Sequence, residues 1–177
     1  KYEHKLFMKQ KTKVDKLFKD NYRHLVDTAL SLAITQNLGL PTDNYWVDTL
    51  DKEYSAKLNE LDTNINKLKE VKEFNKTKGK FNILSPDHLT IVFRDMLKLP
   101  QIKATEKGKF SVDNEVMSYY KEKNVVLAPY VTDYRAYTKL KSTYVDKVKS
   151  LTIDGLVHPN YNHLFTSTGR LSSGKED

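Results

Sequence analysis

Tyr134-Arg135-Ala136-Tyr137-Thr138-Lys139-Leu140-Lys141-Ser142-Thr143-Tyr144-Val145-Asp146 sets Tyr134, Tyr137, Leu140 and Tyr144 at three- and four-residue steps. That spacing puts them on one side of an α-helix. Tyr130 and Val148 continue the stripe, so the run predicts a helix from Pro129 to about Ser150. At roughly 100° per residue, Arg135, Thr138, Lys139 and Ser142 share another face. Two cations and two hydroxyls together suit phosphate oxygens. The same pattern also fits a merely solvated lysine face.

Upstream, Val14, Leu17, Phe18, Tyr22, Leu25, Val26, Ala29, Leu30 and Ala33 predict a first helix. It ends at Gly39-Leu40-Pro41, where glycine can cap and proline cannot continue. Thr42, Asp43 or Asn44 can cap a second helix, with a seam of Trp46, Leu50, Tyr54, Leu58, Leu61, Ile65 and Leu68. Two consecutive helices with a short turn read as a long antiparallel hairpin. A polar, basic stretch over Asn75–Lys80 reads as an exposed loop. In Ser85-Pro86-Asp87 a cap, a first-turn proline and an acid meet in order, opening a short helix that stops before Pro100. Lys103–Lys109 is a second basic loop, and Ser111 is expected to start another short helix carrying Val112, Val116, Met117 and Tyr120. After Thr152 the helical pattern gives way to Asp154-Gly155, a tight-turn pair between short extended segments.

The 177 residues are only 38% hydrophobic and 30% charged, which favours elongated helices over a thick core. Thirty Lys and Arg against 23 acidic residues give a net charge of +7, which suits a polyanion, nucleic acid before anionic membrane. Without cysteine there are no disulfides or thiolate metal sites. No apolar run approaches the roughly 20 residues of a membrane span. The chain reads as soluble and cytoplasmic, or in the host cytoplasm if viral, and its start at Lys1 suggests an excised piece.

No histidine pair has metal-binding spacing, no nucleophile elbow is present, and no carboxylate pair stands apart from the helix surfaces. Thr168-Gly169-Arg170 is a hydroxyl-rich turn without the phosphate-loop spacing. Taken alone, the residues offer no catalytic set and no metal site.

Three segments carry a resemblance. Tyr134–Asp146 resembles the Leu-x-Lys-Leu-x-x-Thr-Tyr segment at the end of the thumb in family A (polymerase I-like) DNA polymerases. Asp154-Gly155-Leu156-Val157-His158-Pro159-Asn160-Tyr161-Asn162 is similar to that family's next segment, and Thr168-Gly169-Arg170-Leu171-Ser172-Ser173 matches its Thr-Gly-Arg-Leu-Ser-Ser stretch. Phe81–Leu89 and Leu99–Ser111 look like the two loops of the thumb tip. Pro86 and Leu84 depart from the pattern there, as does Val112 after Ser111. His163 stands where glutamine is common. The similarity runs over about residues 22 to 177.

The resemblance implies a mainly α fold: a long antiparallel helical hairpin, the thumb, with a small helical tip, ending in a short β-containing palm segment. It implies a helical lead-in over 1–21, a thumb over 22–150 and the start of a palm over 151–177. Arg135, Thr138, Lys139, Lys141 and Ser142 would then hold primer or template phosphates. Asn82, Ser85, Thr105 and Ser111 would make the tip contacts, and Asn162, Thr168, Gly169 and Arg170 would lie near the primer end. The partners implied are primer-template DNA and the remaining palm and fingers, in the same or a second chain. The family's metal-binding aspartates fall outside this stretch, so Mg2+ is expected in the complete polymerase and no cofactor or catalytic residue in this chain. A non-enzymatic helical DNA-binding module or a coiled-coil-like adaptor would share the same helices.

Overall fold

A computed structural model describes residues 2–164, 166 and 168–174, and for residues 14–20 the backbone alone. The chain divides into two compact units, Asn44–Ser150 and a discontinuous one of Lys1–Asp43 with Leu151–Asp177. Residues 22–43 therefore group with the C-terminal segment, whereas the sequence reading had joined them to 44–150.

In the discontinuous unit, helix α1 (Tyr2–Leu38) runs without a break at residue 21. Val14, Leu17 and Phe18 of its expected apolar face lie outside the described side chains. Tyr22, Leu25, Val26 and Leu30 of that face are exposed. The helix stops at Gly39, whose φ of +75° is left-handed; a Cβ there would sit 2.9 Å from His158 Cε1, so this turn needs glycine twice over. Strand β1 (Leu40–Pro41) pairs with β3 (Leu156–Val157), which also pairs with β2 (Thr152–Ile153), all antiparallel. Between β2 and β3, Asp154 and Gly155 both take positive φ, 51° and 80°. These are the two left-handed positions of a type I′ hairpin, as Asp-Gly predicts. A second pair, β4 (Tyr161–Asn162) with β5 (Ser172–Ser173), follows.

The other unit holds an antiparallel helical hairpin. Helix α2 (Asn44–Ile65) packs along α6 (Leu127–Lys139) and the turns that follow it. Asp48 meets Lys149, Asp51 meets Lys141, and the Tyr54 and Tyr137 rings lie 5.9 Å apart. Rising numbers on one helix face falling numbers on the other, so the pair is antiparallel.

Burial along the α2 seam increases toward its end. Trp46 is exposed at 59%, whereas Leu61 and Ile65 are buried. The core thus sits at the tip, where α3 (Lys69–Lys78), α4 (Pro86–Thr90) and α5 (Asn114–Glu122) gather Phe74, Leu89, Phe93, Met117 and Tyr120 beneath Leu127 and Val131. This localisation explains how 38% hydrophobic residues suffice.

The seam ends at Ile65, with Leu68 only flanking the next helix. Most of the polar stretch read as a loop is helical, because Val71 and Phe74 give α3 a buried edge. Ser85 does cap α4, accepting from His88 N, with Pro86 first in the helix. Helix α5 starts after Asp113, whose carboxylate accepts from Val116 N at 3.0 Å. Ser111, expected to open it, is buried instead.

Two stretches widen to π-helix: Ile91–Met96 after α4, and Leu140–Val145 between α6 and α7 (Asp146–Leu151). The second interrupts what the sequence predicts as one continuous helix. Eight residues of straight α-helix would leave Lys141 and Lys149 about 80° apart. The wider turn reduces the rotation per residue and brings both onto Asp51.

Candidate nucleic-acid interface

The face expected from Arg135, Thr138, Lys139 and Ser142 does not form as one exposed surface. Arg135 is half-buried and its Nη1 donates to Val112 O at 2.6 Å. Desolvation lowers its pKa, but guanidinium stays charged at any working pH. This bond ties α6 to the loop before α5 and uses one of the five guanidinium donors. Thr138 Oγ1 is buried with no hydrogen-bond partner among the described residues, at the entrance to the second π-helical stretch. Lys139 and Ser142 are exposed.

Lys141 is likewise engaged. Its ammonium donates to Asp51 and, at 2.8 Å, to Asp146. Lys149 reaches Asp51 and Asp48, each at 2.8 Å. In the sequence Asp51 does not stand apart from the other acids of the helix surfaces. A signal existed, since Asp48 and Asp51 stand three apart on one side of α2. The two lysines hold the Asp51 carboxyl down to about 2, chiefly through the hydrogen bond from Lys141. Asp146 and Asp51 raise the pKa of Lys141 in turn.

A carboxyl depressed on folding contributes stability above its unfolded pKa and loses it as pH falls toward the folded value. The stability advantage over Asp51→Asn is therefore expected to be full at pH 7 and to shrink between about pH 4 and pH 2. Thermal unfolding of both proteins across that range measures it. A difference that stays constant down to pH 2 would show that the pairs add nothing.

At the tip, each expected contact residue first serves its own loop. Asn82 Oδ1 accepts from Leu84 N at 2.9 Å, and Ser85 Oγ from His88 N. Thr105 Oγ1 accepts from Lys109 N at 3.1 Å, closing the turn in which Gly108 takes φ +72°. Ser111 Oγ accepts from Asp113 N at 3.3 Å, and the residue is buried. A hydroxyl that accepts from backbone keeps its own proton for another acceptor, and Asn82 keeps its amide donors. Asn82, Ser85 and Thr105 are at least partly exposed. In the Thr105 loop Lys103 is paired with Asp113 and Glu115. Lys107 and Lys109 are exposed, with no ion pair among the described residues.

In the discontinuous unit, Asn162, Thr168, Gly169 and Arg170 are all exposed. Asn162 Oδ1 accepts from Leu164 N at 3.0 Å, and Thr166 Oγ1 donates to Arg170 O at 2.5 Å. Gly169 has φ +72°. No carboxylate pairs with the Arg170 guanidinium among the described residues. Phe165 and Ser167 of the same turn lie outside them. Among the described residues no three His, Asp or Glu are grouped to hold a metal ion, and no helix is long and apolar enough to cross a membrane.

Residues 47–176 match the model of DNA polymerase family A. Over 155 residues the chain is 32% identical to the thermostable DNA polymerase I of Thermus thermophilus, covering 85% of the chain and 18% of the relative. With DNA polymerase I of Bacillus subtilis it shares 30% over 147 residues, covering 82% and 16%. The chain thus spans less than a fifth of these relatives. Among solved structures it is similar to the POL domain of Pol1 from M. smegmatis in complex with DNA primer-template and dNTP. The TM-score is 0.63 at 27% identity, over 80% of this chain and 24% of that one.

Proposed function

The chain belongs to DNA polymerase family A, and on that premise we propose that it is the part of the polymerase that grips primer-template duplex. In this reading Asn44–Ser150 is the thumb and the segment from Leu151 begins the palm. The observation that carries it is the tip. Asn82, Ser85 and Thr105 spend acceptors on their own turns while keeping donors for an outside acceptor, beside the exposed Lys107 and Lys109. Such a surface suits phosphate oxygens and reads no base sequence. The M. smegmatis polymerase domain solved with primer-template DNA supports the choice of partner. Along the hairpin, Lys139 and Ser142 remain as candidate phosphate contacts, while Lys141 ties α6 and the turns after it to α2 and Arg135 ties α6 to the loop before α5.

Mg2+ chemistry belongs elsewhere in the polymerase on this reading, because the described acids are scattered or engaged by lysines. The remaining palm and fingers would supply it. The chain alone is accordingly expected to bind duplex DNA with an affinity that falls steeply with salt. It should add no nucleotides when given Mg2+ and dNTPs. A gel-shift series and a primer-extension assay on one preparation check both. Template-dependent extension by the purified chain would place a catalytic centre within it, and absence of duplex binding at low salt would remove the gripping role.

A further inference from the structure

Helix α3 buries Val71 and Phe74 on one side and turns Lys69, Lys72 and Lys76 to the other. At about 100° per residue these three fall within roughly 60° of one another, opposite the buried pair. Lys67, in the turn before the helix, joins them around a shallow cleft of about 430 Å³ whose lining is completed by Glu73. Several other lysines of this unit are neutralised: Lys57 by Glu60, Lys103 by Asp113 and Glu115, Lys141 and Lys149 by Asp48, Asp51 and Asp146. Lys67, Lys69, Lys72 and Lys76 have no ion pair among the described residues. Lys67 only reaches Asn64 Oδ1, at 3.4 Å. Four cations against one acid in a concave surface concentrate positive potential there.

We propose that this ridge is a second binding surface for the phosphate backbone of duplex DNA, separate from the tip turns and from Lys139. The proposal rests on the reading of the chain as a duplex-gripping thumb. Two observations choose nucleic acid over an acidic protein. Lysine is depleted in the cores of protein interfaces, and this cleft offers no aromatic or aliphatic anchor beyond lysine stems. From Lys69 to Lys76 the helix rises about 10 Å, enough to span two or three phosphates of one strand. Ammonium groups without a planar fork hold phosphate as point charges, so the contact would be indifferent to sequence.

The test is the salt dependence of binding to a primer-template duplex between 50 and 200 mM, comparing the chain with its K67Q/K69Q/K72Q/K76Q variant. Glutamine keeps helix propensity close to that of lysine. Four lost contacts should flatten the slope of log K against log salt by about 3.6, roughly a hundredfold less salt sensitivity over that range. The pair variant K72Q/K76Q should show about half of this, which covers a failure of the quadruple variant to fold. An unchanged slope in folded variants overturns the proposal. So does an unchanged slope accompanied by lost binding to poly-glutamate, which would assign the ridge to an acidic protein. If Lys139→Ala flattens the slope by about one while the ridge variants do nothing, the ridge fails and the gripping role stands. If the unsubstituted chain binds no duplex, both fail.

Discussion

Arg170→Ala in the intact polymerase is expected to lower primer extension by about 10- to 100-fold while leaving thermal unfolding almost unmoved. The range corresponds to one charge-assisted hydrogen bond, about 1.5–3 kcal/mol, lost at the proposed contact with the primer end. The guanidinium is exposed, and no carboxylate among the described residues engages it. The turn beneath it is maintained by other groups: Thr166 Oγ1 donates to Arg170 O, and Gly169 N to Thr166 O at 3.3 Å. The first uses only the backbone carbonyl of Arg170 and the second does not involve Arg170, so alanine retains both. Lysine at this position keeps the charge but loses the planar two-pronged donor, so Arg170→Lys should recover only part of the rate. Extension rates normalised to folded protein, read beside melting curves, separate the two roles. A variant that melts several degrees lower and extends normally per folded molecule would make Arg170 a brace and not a primer contact.

Phe93→Ala is expected to cost about 3–5 kcal/mol, the largest stability loss among the substitutions considered. Phe93 is fully buried on the first π-helical stretch, with its ring 5.4 Å from that of Tyr120. Tyr120 in turn donates its hydroxyl to Pro100 O at 2.7 Å, fastening the loop that follows. Truncation leaves a cavity in the small core that supports both tip turns, so the site should loosen with the fold. In a unit of this size the melting temperature should fall by roughly 10 °C or more. Phe93→Leu, which fills most of the space, should cost well under half as much. A Phe93→Ala protein melting within about 2 °C of the parent would mean that this cluster does not carry the unit's stability.

Elements governed by neighbours in sequence were legible from the residues alone. Ser85-Pro86-Asp87 opens a helix because a hydroxyl acceptor, a preset φ and a negative charge act within one turn. Asp154-Gly155 makes a hairpin because two successive residues accept positive φ. The three late motifs pointed to the family that residues 47–176 match. Legibility ended where a side chain's role depends on a distant partner. Arg135 and Lys141 have the composition of a phosphate-binding face. One is taken by a carbonyl 23 positions away, the other by a carboxylate 90 positions away. Spacing along a helix states which groups share a side, but not whether that side meets solvent or another helix. That choice came with the pairing of α2 to α6, and with the π turn that brings Lys141 and Lys149 onto Asp51. The free energy of burying Leu61, Ile65, Phe93 and Leu127 together selects this arrangement, and that energy exists only once residues remote in the chain have met.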